Sequence, residues 1–163
     1  MTTLADSPFA VLTAVVAPAI LTNACSVLSL GTGNRIARVV DRTRVIVHEL
    51  GTLTEASPEY QWRARHLEML HTRGNLLIKA LRLFYASLGG FAASALLSVV
   101  GASLVYYDFH KAFQTCAVIA LFVGVLAVTG AVTGCVLMVR ETTLAVASVN
   151  EEVGYAVERF KKK

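Results

Sequence analysis

Three windows of the sequence, residues 7–34, 83–107 and 112–139, contain no Asp, Glu, Lys or Arg. They are 28, 25 and 28 residues long, half of the 163-residue chain, so every charged residue falls in the other half. About 20 apolar residues cross the hydrocarbon core of a bilayer as a helix. A spanning segment must satisfy its own backbone N–H and C=O groups, because lipid offers no partners. The windows therefore predict an all-α integral membrane protein with transmembrane helices near residues 9–33, 83–107 and 112–139. Charged residues are 16% of the chain, where a soluble domain has about 25%. An ordinary soluble fold, a nucleic-acid binder and a disulfide-stapled secreted domain are thereby excluded. A cleaved signal peptide does not fit the first window either. Met1 to Phe9 hold no Lys or Arg, and the apolar stretch is too long.

Orientation follows from the basic residues. Nine lie between the first two spans and five after the third, whereas the N-terminus has none and the connection at 108–111 has only Lys111. The positive-inside rule then places the N-terminus outside and the C-terminus in the cytoplasm. Residues 1–163 form a single membrane domain, with a cytoplasmic helical hairpin over 34–82 and an amphipathic cytoplasmic tail over 140–163. A pI near 9.2 points to anionic phospholipid headgroups of the inner leaflet, because the basic residues adjoin the spans. Cys25, Cys116 and Cys135 lie within the spans and read as small buried hydrophobes.

The hairpin follows from local pattern. Ile36, Val39, Val40, Ile46, Val47 and Leu50 recur at helical spacing. Gly51 and the stretch to Pro58 break the helix, and Ser57-Pro58 reads as an N-cap followed by proline at the first helical position. Beyond it Leu67, Leu70, Gly74, Leu77, Leu81 and Phe84 alternate steps of three and four, a heptad seam running into the second span. The two arms are expected to pair antiparallel along these stripes. In the tail, Val146, Val149, Val153, Val157 and Phe160 form a further stripe, suited to the membrane surface or to the hairpin.

Ala17-Pro18-Ala19-Ile20-Leu21, then Asn34-Arg35-x-x-Arg38-x-x-Asp41-Arg42-x-Arg44 and Leu70-x-x-Arg73-x-x-x-Leu77, carry a resemblance. With the paired C-terminal spans they resemble the bacterial membrane family catalogued as domain of unknown function 2721, over roughly residues 7–145. The resemblance implies a multi-pass protein of the bacterial inner membrane and brings no activity with it.

Arg35, Arg38 and Arg42 form one juxtamembrane basic ridge. It anchors the inner face or, in an oligomer, rings a cytoplasmic mouth. Asp41 is three residues from Arg38 and from Arg44, and a bond from Arg73 on the opposite arm to Asp41 would fix hairpin register. In span one, Pro18 removes a helix hydrogen bond and favours a kink. Thr22, Asn23, Ser26 and Ser29 make a polar stripe there that packs against another helix or lines a hydrated path. Ser87, Gly90, Ser94, Ser98 and Gly101 in span two, and Gly130-x-x-x-Gly134 in span three, are close-packing faces. Such faces exceed what three spans need and favour a homo-oligomer.

No nucleophile–base pair, phosphate loop or metal-ligand set appears, so no catalytic, cofactor or metal site and no enzyme activity is expected. Two functional classes remain: a homo-oligomeric channel lined by span one, and a scaffold or accessory subunit binding anionic lipid or a larger membrane complex.

Overall fold

A computed structural model describes residues 8–106 and 110–161, with side chains from Val16 onward except 105–110, 152, 155–156 and 158–161. Asp6, Asp108 and the basic end of the tail lie outside the described side chains. The described residues form three helices: α1 over Pro8–Leu50, α2 over Pro58–Tyr106 and α3 over His110–Lys161. Each is long and apolar enough to cross a membrane, over Val16–Leu50, Pro58–Leu104 and Lys111–Glu151. The first span continues without a break into the arm that follows it, as its pattern predicts. The N–H of Gly51 closes α1 on the Val47 carbonyl at 3.2 Å. Ser57 Oγ accepts the N–H of Tyr60 at 3.1 Å, so Ser57 caps α2 and Pro58 opens it.

The chain divides into two compact units. Residues 1–30 and 82–134 form the first. Its interior is built from small residues and two rings: Cys25, Phe91 and Ala127 are buried together, with Leu88 and Ala131 against them. Its large aliphatic side chains point outward, Ile20, Leu30, Leu96 and Leu121 each more than 60% exposed. Apolar outside and small inside is the arrangement lipid favours, since helices there associate by close packing rather than by escape from water. Glycine makes that packing possible. A Cβ on Gly90 would lie 2.8 Å from the Ala127 Cβ, and one on Gly134 would lie 2.7 Å from the ring of fully buried Phe84. Ser94 Oγ also donates across the α2–α3 contact to the Ala120 carbonyl at 3.0 Å.

Residues 31–81 and 135–163 form the second unit. Val39, Ile46, Leu70 and Leu77 are its buried core, with Ile36, Leu50, Leu67 and Met138 packed against them. The arms therefore meet along their apolar stripes, and α3 joins them. Two positions of the α1 stripe differ from expectation, as Val40 and Val47 are exposed. The buried pair Val39 and Ile46 are seven residues apart, so the contact is a narrow heptad seam. Gly74 leaves ordinary space, since a methyl there would meet Val39 at 3.7 Å, and α2 runs through it unbroken. On α3 the buried positions among the described residues recur at every seventh residue: Ala120, Ala127 and Gly134 in the first unit, Glu141 and Ser148 in the second.

Gly90→Ala and Gly134→Ala should each lower stability by about 1–3 kcal/mol, the usual effect of overpacking. Gly89→Ala, which meets nothing within 4 Å, should be neutral or slightly stabilising. Thermal unfolding in mild detergent checks the ordering.

Candidate functional site

The second unit holds a carboxylate that the sequence does not single out. Glu141 occupies one of the seventh-residue positions on α3, and its side chain is 2% exposed. Arg73 on α2 donates from Nε at 3.0 Å and from Nη2 at 2.9 Å, both to Oε1. Arg35 on α1 donates from Nη1 to Oε2 at 3.1 Å and to Thr142 Oγ1 at 3.0 Å. One carboxylate thus bonds an arginine from each of the other two helices. An unpaired carboxylate at this depth would carry a penalty of several kcal/mol, so the bonds are a condition of its burial. With two arginines and one glutamate the cluster keeps one net positive charge. Arg35 carries the more open part of it, its side chain 43% exposed against 19% for Arg73. Beside the cluster, buried Thr32 donates to Met138 Sδ at 3.5 Å.

This arrangement corrects the expected hairpin pairing. Arg73 bonds Glu141, whereas Asp41 is exposed and faces Arg44 at 4.0 Å, with Arg44 equally open. The reason is position on α1. Asp41 stands two residues past buried Val39 and five before buried Ile46, off the seam that faces α2. The basic ridge also divides. Arg35 turns into the cluster, while Arg38 and Arg42 are exposed, and Arg38 Nε reaches the Asn34 carbonyl at 3.4 Å.

The polar stripe of span one does not converge on a site. Thr22 Oγ1 donates to the Pro18 carbonyl at 2.8 Å and Ser26 Oγ to the Thr22 carbonyl at 3.0 Å, both within α1. Ser29 is buried with its hydroxyl unpartnered. Asn23 is exposed on α1.

Two smaller clusters complete the second unit. Arg63 bridges Glu49 at the end of α1 and Glu59 at the start of α2, tying the connection between them. His66 is buried, its ring stacked on Trp62 at 5.7 Å, with Nδ1 3.5 Å from Ser148 Oγ. A groove of about 660 Å³ adjoins the Trp62–His66 pair, lined among others by Met69, Leu144 and Glu151. Among the described residues no three His, Cys, Asp or Glu side chains gather as a metal set.

Glu141 had a signal in the sequence. It is the first acidic residue after the charge-free window 112–139, beside Arg140 and seven residues from Gly134. Glu141→Ala should destabilise the protein by about 3–5 kcal/mol, because it strands two arginines. Arg73→Ala should cost more than Arg35→Ala, in order of burial. Asp41→Asn should stay within about 0.5 kcal/mol, as an exposed surface change does. Unfolding midpoints of the four variants test this order.

The family model described as Protein of unknown function (DUF2721) matches residues 15–151. No curated protein and no solved structure matches the chain. The matched region takes in most of the chain, including α1 from residue 15, all of α2, and Glu141 with both its arginines, and the chain accordingly belongs to the DUF2721 family.

Proposed function

We propose that this protein is a non-enzymatic, self-assembling scaffold of the bacterial inner membrane, with the second unit in the cytoplasm and anionic headgroups bound beside it. The filled interior of each unit carries this reading. Phe84, Phe91 and Leu77 are fully or almost fully buried, and the hydroxyls of Thr22 and Ser26 are bonded to their own helix. A chain so packed offers a fixed surface rather than an internal path. The strong excess of basic residues on one side of the spans supports the orientation. Arg38, Arg42 and Arg44 are exposed and in this reading meet the inner leaflet, where each basic residue contributes about 1 kcal/mol to binding anionic lipid.

Phosphatidylglycerol added to purified protein should raise its unfolding temperature, and phosphatidylcholine should not. Replacing Arg38, Arg42 and Arg44 together by Gln should abolish the difference. An equal response to both lipids would refute the lipid role.

One observation favours a second reading, an oligomeric channel. Asn23 and Ser26 are exposed on the first unit, and an amide facing hydrocarbon is expensive. Around a shared axis they would line a hydrated path with the arginines at its mouth. Ion flux into liposomes decides between the two. The scaffold predicts none above lipid alone, whereas a flux that Asn23→Leu abolishes would establish the channel.

A further inference from the structure

The tail of α3 carries an apolar stripe that none of the described residues covers. Val139, Thr143, Val146, Asn150, Val153 and Val157 follow one another at alternating steps of four and three. All six are exposed, the four valines by 47–67%. At 100° per residue they lie opposite Glu141 and Ser148, the residues α3 turns into its own unit. They do not pack on the hairpin. The spacing is a heptad seam with valine at every d position and Val157, Asn150 and Thr143 at a.

We propose that this face of α3 docks a second copy of the same chain, parallel and in register. The proposal rests on the self-assembly proposed above and names the surface that makes it. Charge is the first argument. Identical chains bring identical charges to facing positions, so a homotypic seam has to be free of them. No residue from Thr142 to Asn150 is charged, and the flanking positions Thr142, Ala147, Val149 and Gly154 are neutral, which leaves Arg140 beside Val139 as the one charge at a flanking position, at the end of the seam. A helix lying on an anionic membrane would instead carry Lys or Arg beside its stripe. None occurs between Arg140 and Arg159.

Orientation is the second argument. Copies of one membrane protein share their direction across the bilayer, so symmetric assembly brings the same helix to the same height. Valine then meets valine, and Asn150 meets Asn150. An amide both donates and accepts, so two asparagines satisfy each other. A single asparagine at an a position fixes register at some cost in strength.

The test is oxidative cross-linking of the full chain in its native membranes, with Cys116 and Cys135 replaced by Ala and buried Cys25 retained. Val146→Cys and Asn150→Cys should give about tenfold more disulfide dimer than Glu151→Cys, which lies off the seam. Val146→Lys with Val153→Lys should lower the oligomeric fraction in native mass spectrometry while leaving the unfolding midpoint of the monomer unchanged. An oligomer that cross-links no better at 146 and 150 than at 151 would overturn the seam and leave self-assembly standing. A monomer with no cross-link at any position would overturn both. Cross-linking of these sites to a different polypeptide would also overturn the proposal.

Discussion

A single buried carboxylate governs the second unit. Glu141 is buried with both carboxylate oxygens bonded, one to Arg35 and one to Arg73, and the three residues come from three different helices. Apolar contacts alone tolerate sliding, because valine packs on leucine at many offsets. A charge-assisted bond does not, since moving a partner by one helical turn exposes it to the full desolvation penalty. The contacts of Val39, Ile46, Leu70 and Leu77 thus supply cohesion, and the carboxylate selects one alignment among those that cohesion would allow.

The first unit reaches specificity without charge. There α2 and α3 fit because a ring occupies the space a side chain at Gly134 would take, and because Ala127 occupies the space at Gly90. Shape does the work that hydrogen bonding does in the second unit. The difference follows from the surroundings each part is proposed to meet. Lipid gives no hydrophobic incentive to gather, so dispersion at short range has to hold the helices. Water gives that incentive freely, and leaves register as the problem to be solved.

Much of this was legible in the residues. The charge-free windows marked helices long and apolar enough to cross a membrane, Gly51 to Ser57 marked the turn, and the steps from Leu67 to Phe84 marked the seam, because each depends on neighbours in sequence. Glu141 was not legible in the same way. Its partners are 106 and 68 residues away, and which face α3 turns to them depends on packing in the whole unit. Asp41 is the acid nearer in sequence to the basic ridge, yet its side of α1 faces outward. The valines of the tail were visible as a stripe, but only the burial of Glu141 and Ser148 establishes that the stripe lies on the far side of the helix.

The seven-residue ladder on α3 has a consequence for how such chains can change length. Within the second unit Glu141 and Ser148 keep one phase on α3, so one residue gained or lost between them rotates Ser148 by about 100° relative to Glu141. The serine would swing away from His66 and a neighbour would take its place. Seven residues gained restore the phase, though only if α1 and α2 lengthen with it. Insertions and deletions in relatives should therefore collect in the connection at 51–57, while the helices on either side of it vary in composition but hold their length.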